Sequence, residues 1–191
     1  NVGLGFESLK TNTTASNNTA VGLCSMALNT TGTLNVAVGM TALKSNTEGS
    51  CNTAIGGLAL NANTTGSQNT ALGSCALKAN TTADFNTAVG TCSMYTNVTG
   101  EENTAVGFNS LKTSTVSNNT AFGSQSLRGT TTGADNTAVG RDAMKANTSG
   151  ANNTALGKDA LIANTTGTQN VAVGSLALDA NTEGIDNTAL G

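Results

Sequence analysis

The chain has 191 residues, of which 10% are charged and 3% aromatic, with a net charge of −3 and no Pro, His or Trp. An ordinary globular core is excluded, because the large side chains that bury most apolar area are scarce; any core must be thin and repetitive. The small charge and the lack of a basic cluster exclude the electrostatic footprint of a nucleic-acid binder, and no apolar run approaches the roughly 20 residues of a membrane span.

From its first residue the sequence repeats itself. A pentapeptide of the Asn-Thr-Ala-Val-Gly type begins at Asn1, Asn18, Asn35, Asn52, Asn69, Asn86, Asn103, Asn119, Asn136, Asn153, Asn170 and Asn187. Successive copies lie 17 residues apart, except that Asn103 and Asn119 are 16 apart. Residues 1–191 therefore form a single tandem-repeat domain of eleven units, ten of 17 residues and one of 16, followed by a partial twelfth. There is no initiator Met and no signal peptide, and the chain starts and stops within the repeat, so it is expected to be a section of something longer.

The unit reads Asn-Thr-Ala-[Val/Leu/Ile/Phe]-Gly-x-x-[Ala/Ser]-[Leu/Met]-x-x-Asn-Thr-Thr-Gly-x-x, with places numbered 1 to 17. Helical repeats are excluded, since two helices need about 33 residues and Thr, Asn and Gly form helices poorly. Short strands between Gly and Asn turns fit instead. In chain order, positions 1–4 predict a first strand and the Gly at position 5 a corner. The stretch around positions 7–10 predicts a second strand, and Asn-Thr-Thr-Gly at positions 12–15 a second corner. Repeated, these elements predict an all-β protein, a parallel β-solenoid of stacked coils about 4.8 Å apart. Asn at position 1 then becomes a ladder of amides. The 16-residue unit keeps the motif from Asn119 to Gly123, so its missing residue is expected in the loop at 112–118.

Positions 2 and 4 of a strand face one way and positions 1 and 3 the other. Position 4 is large and apolar, whereas position 3 is Ala except at Gly3. Strands with both faces apolar or small are buried on both. One face fills the narrow coil, and the other needs a second surface. Neighbouring copies of the chain are the simplest source, so a homo-oligomer with its axis along the rod is expected.

Thr-Ala-Val-Gly-x-x-Ala resembles the head repeats of YadA-type trimeric autotransporter adhesins, and similar Asn-Thr-Ala-Val-Gly repeats occur in phage and virus fibre proteins. The likeness covers every repeat. It implies a trimer of parallel β-rolls, each coil giving two short strands, at a cell or virion surface. Surface glycans or host receptors are the partners such a fibre implies. This unit is a few residues longer than the adhesin pattern, with the extra length around Asn-Thr-Thr-Gly.

Catalysis finds little footing. Without His there is no Ser-His or Cys-His pair, and neither a calcium-roll motif nor a zinc spacing occurs, so no cofactor or metal is expected. Asp84, Glu101, Glu102 and Asp135 sit at positions 16 and 17, and Asp142 and Asp159 at position 7, where solvated charge is the plain reading. Cys24, Cys75 and Cys92 share position 7, while Cys51 is at position 17. Cys75 and Cys92 belong to adjacent coils, which puts them within range of a disulfide. Asn-x-Ser/Thr sequons fall at Asn12, Asn17, Asn29, Asn63, Asn80, Asn97, Asn118, Asn147, Asn152 and Asn164. They are candidate N-glycosylation sites, accessible by their turn location, although a repeat built on Asn-Thr-Thr also generates sequons by accident.

These features point to a non-catalytic section of an extracellular or virion fibre or adhesin shaft. The rival reading is an ice-binding solenoid using Thr columns. Nine of the twelve position-2 residues are Thr, but position 4 lacks the second outward Thr that such a face wants.

Overall fold

The computed structural model describes residues 1–191. The chain is an all-β parallel solenoid in which each coil contributes one three-residue strand at positions 2–4, from β1 (Val2–Leu4) and β2 (Thr19–Val21) to β12 (Thr188–Leu190). All twelve strands line up in sequence order as one parallel sheet. Every position pairs with its own counterpart in the next coil, as Thr70 with Thr87, Ala71 with Ala88 and Leu72 with Val89.

The second strand expected at positions 7–10 is absent. Positions 7 and 9 hold positive φ in every complete coil, for instance 58° at Cys75 and 49° at Leu77. The stretch is a pair of tight turns. The N–H of position 8 donates to the carbonyl of position 5, and that of position 12 to the carbonyl of position 9, as at Ala76 to Gly73 and Asn80 to Leu77 (both 3.2 Å). The intervening N–H groups reach the neighbouring coils: Cys75 donates to Gly57 and Leu77 to Ser93, each at 3.0 Å. Only 22 of the 129 backbone hydrogen bonds join strands, so the turns carry most of the stacking.

A Leu at positive φ costs about 1–2 kcal/mol, and position 9 bears that cost in each complete unit. The compensation is burial, since Leu43, Leu60, Leu77, Leu111, Leu127 and Leu161 are fully enclosed. Burying a Leu or Met stabilises by about 1.5–3 kcal/mol, so the balance favours the turn. The core is position 9 packed against Ala at position 3 and Ala or Ser at position 8. Ser is tolerated there because its hydroxyl donates to a backbone carbonyl, as from Ser25 Oγ to Ala37 and from Ser93 Oγ to Gly90 (both 2.9 Å).

Asparagine fills the other half of the interior. The expected ladder at position 1 is present, and a second runs along position 12. In one coil, Asn52 Nδ2 and Asn63 Nδ2 both donate to the Gly66 carbonyl at 2.8 Å, tying the two ends of the loop together. Asn52 Oδ1 accepts the backbone N–H of Asn69 at 3.0 Å, and Asn63 Oδ1 accepts Asn80 Nδ2 at 2.9 Å. Each amide thus closes its own coil and grips the next. Gly at position 5 never varies because its backbone abuts the following coil. At Gly73, φ is 135°, and a Cβ would come within 2.7 Å of the Gly90 carbonyl carbon.

The 16-residue unit keeps its strand. β7 (Thr104–Val106) pairs in register with β8 (Thr120–Phe122), and Asn119 donates its N–H to Asn103 Oδ1 at 2.9 Å. The Val116 carbonyl accepts Asn103 Nδ2 at 2.9 Å, so Val116 takes position 15. Thr115 Oγ1 reaches the Thr131 carbonyl at 3.2 Å, which puts Thr115 at position 13. The missing residue is therefore position 14. Ser114 and Thr130 interrupt the position-12 ladder there, and Asn97 Oδ1, which would accept an amide from the next coil, has no partner.

Two outcomes are expected. Asn63→Ala and Asn97→Ala each strand the oxygen of the preceding asparagine, Asn46 and Asn80. Asn63→Ala also removes the oxygen that accepts Asn80 Nδ2 at 2.9 Å, whereas the oxygen that Asn97→Ala removes is already unpaired. Denaturant titration should find Asn63→Ala the more destabilising by roughly 1 kcal/mol. At position 17, Leu34 is 56% exposed with φ at 59°. Leu34→Asn, which relieves left-handed strain and forfeits little burial, should raise stability by roughly 0.5–1 kcal/mol, read as a higher melting temperature.

Candidate functional site

Position 3 is buried, so the two residues flanking it on the strand point outward. The Thr column at position 2 is half-buried at Thr70, Thr87 and Thr104. Beside it runs the large apolar column of position 4. Val21, Val38, Val89, Val106 and Val173 are half-buried, while Ile55, Leu72, Phe122, Val139 and Leu156 are between 38% and 43% exposed. Leu23, Met40 and Phe108 at position 6 extend this apolar strip. With Ala inside, a wider roll that encloses both large columns is ruled out.

Of the other Thr-rich positions, position 14 is exposed, as at Thr31, Thr65 and Thr82, and position 13 is engaged between coils. Position-13 hydroxyls donate to the position-13 carbonyl of the next coil, as from Thr30 to Thr47 at 2.9 Å and from Thr64 to Thr81 at 3.0 Å.

The sequons separate into two groups. Asn29, Asn63, Asn80, Asn97, Asn147 and Asn164 are fully buried, and their amide nitrogens donate to the position-15 carbonyl. This corrects the expectation that the turn exposes them, since a glycan there would have to displace the ladder. Asn17, Asn118 and Asn152, at position 17, are exposed, and Asn12 is partly so.

All four cysteines carry free thiols. Cys75 and Cys92 stand in adjacent coils as expected. Burial pushes the Cys92 thiol up from its ordinary value, and the charge of the neighbouring Cys75 adds to the rise. The acidic residues fall into two classes. Asp84 Oδ1 accepts the Ser67 N–H at 2.6 Å. Asp142 and Asp159, expected to be solvated, are instead 7% and 9% exposed, and each is ion-paired: Asp142 with Arg141 at 3.3 Å and Lys145 at 3.1 Å, and Asp159 with Lys158 at 3.2 Å. No three His, Cys, Asp or Glu side chains converge in a metal-holding group.

Stacking also assembles a column that the linear sequence disperses. Lys10, Lys44, Lys78, Lys112, Arg128 and Lys145 all occupy position 10 and account for six of the eight cations. Between them, Lys78 Nζ lies 3.1 Å from the Tyr95 hydroxyl and 5.2 Å from the centre of its ring. The hydrogen bond to Tyr95 holds the Lys78 pKa above its ordinary value. Next to Arg128 and Lys145 a shallow groove of about 450 Å3 opens, lined also by Thr113, Gly129, Ala146 and Ile162. No helix is long and apolar enough to cross a membrane. Compared with known protein families, curated proteins and solved structures, the chain matches none.

Proposed function

We propose that this solenoid is a non-catalytic structural section of a fibre or adhesin shaft at a cell or virion surface, assembled side by side with copies of itself, three in the arrangement its repeats resemble. The observation that carries the reading is the unbroken apolar column at position 4. Stacked at about 4.8 Å per coil, eleven coils span roughly 50 Å; a strip about 10 Å wide then covers on the order of 500 Å2, at the top of what monomers leave exposed. A second copy of the same straight column is its natural complement, because both repeat at one spacing and match along their whole length. Partial burial of Val- and Leu-sized side chains, each contributing up to about 1.5–3 kcal/mol when fully enclosed, then accumulates coil by coil against the entropy of association.

The Thr columns favour an ice-binding role less. Position 2 offers one outward hydroxyl row, its neighbour on the strand is apolar, and the position-13 hydroxyls are spent on backbone carbonyls.

Sedimentation equilibrium at micromolar concentration tests the assembly. The wild-type chain is expected to sediment as an oligomer. Val106→Asp should shift it to a folded monomer with unchanged circular dichroism, because Val106 is half-buried on the outer face and not in the core. A wild-type chain that sediments as a folded monomer would overturn the reading, and thermal hysteresis in such a monomer would favour the ice-binding one.

A further inference from the structure

We propose that the position-10 column is a docking ridge for a linear acidic polysaccharide, one bearing sulfate or carboxylate groups at regular intervals. The inference concerns a different surface from the apolar face and stands whether or not the rods assemble.

Three observations carry it. The first is concentration of charge. In a chain of net charge −3, six of eight cations fall at one of seventeen places in the unit. The second is availability. Glu7 engages Lys10 at 2.7 Å and Asp142 engages Lys145 at 3.1 Å, while Lys44, Lys78, Lys112 and Arg128 form no ion pair. The third is shape. Position 11, alongside, is small in the middle and later coils, with Ala62, Ala79, Gly129 and Ala146, and the groove opens where Arg128 and Lys145 meet those small residues.

The spacing selects the ligand. Lys10, Lys44, Lys78 and Lys112 lie on alternate coils, so they recur about every 10 Å at the parallel-strand separation. That interval suits a chain whose charge recurs once per disaccharide. Lys112, Arg128 and Lys145 follow on consecutive coils and form the densest segment, beside the groove. The groove mixes cations with the aliphatic surface of Ala146 and Ile162, which suits a sugar ring carrying an acidic substituent. Single-stranded nucleic acid fits less well, because such sites interleave cations with several stacking aromatics. Tyr95 is the sole Tyr of the chain, and Lys78 already lies over its ring.

The test is fluorescence anisotropy with a labelled heparin oligosaccharide, an uncharged dextran of similar length and a single-stranded oligonucleotide, each at low and high salt. The wild-type chain is expected to bind the sulfated oligosaccharide, to ignore dextran, and to lose affinity as salt screens the charges. Lys112→Ser with Arg128→Ser should weaken binding about tenfold or more, the equivalent of about 1.4 kcal/mol. Arg141→Ser with Lys158→Ser removes the same net charge from position 6 and should change it less than about twofold if the column is what binds. Circular dichroism confirms that both variants fold, and their sedimentation should match wild type, since neither touches position 4. No binding to the sulfated oligosaccharide at low salt overturns the proposal, as does equal loss in the two double variants. Tighter binding of the oligonucleotide overturns the choice of polysaccharide.

Discussion

The position-15 carbonyl is the point on which each coil closes. Two asparagine side chains, from positions 1 and 12, converge on it from opposite ends of the loop, as Asn35 and Asn46 do on Gly49 at 2.8 and 2.9 Å. A carbonyl has two lone pairs, and here both are used inside a dry interior, where an unmet polar group costs about twice what a met one contributes. The same amides reach the neighbouring coil through their oxygens. Closure of one coil and registry with the next are therefore one interaction, and it persists across a change of side chain at position 15, since Ala83 accepts Asn69 and Asn80 at 2.8 and 3.0 Å.

This arrangement explains how a chain so poor in large side chains holds a fold. The apolar core is three residues wide per coil, the Ala of position 3 against positions 8 and 9. The remainder of the interior is amide. Because the polar half is satisfied residue by residue, the interior tolerates Ser at position 8 but carries a defect at Asn97, where the short unit offers Ser114 in place of an asparagine.

Much of this was legible in the sequence. The period, the parallel register and the position-1 ladder follow from Asn1, Asn18 and their successors recurring beside an unvarying Gly. The tolerated deletion also follows, because Asn119–Gly123 is intact. The second strand was misread for a physical reason. Leu and Met avoid positive φ, so nothing local in Ala-Leu announces a left-handed turn; only full burial of Leu77 and its counterparts makes it favourable. The buried sequons were misread likewise, because Asn-Thr-Thr-Gly looks like a solvent-facing turn until its Asn is seen to point inward. The cationic column was hidden by distance along the chain, since Lys78 and Lys112 are 34 residues apart yet two coils apart in space.

The asparagine rows also give the rod a direction. From Asn29 onward, each Nδ2 of the position-12 row donates toward the preceding coil, as Asn46 does to Asn29 and Asn63 to Asn46, both at 2.8 Å. The backbone N–H of each position-1 Asn points the same way, as from Asn35 to Asn18 Oδ1 at 2.9 Å. Two files of amide dipoles thus run head to tail without reversal. A coil added in the same sense meets acceptors with donors; a coil turned end for end sets acceptor against acceptor at one end of the rod and donor against donor at the other. The solenoid is a vectorial object, like a filament with distinguishable ends, and the polarity is written into each unit.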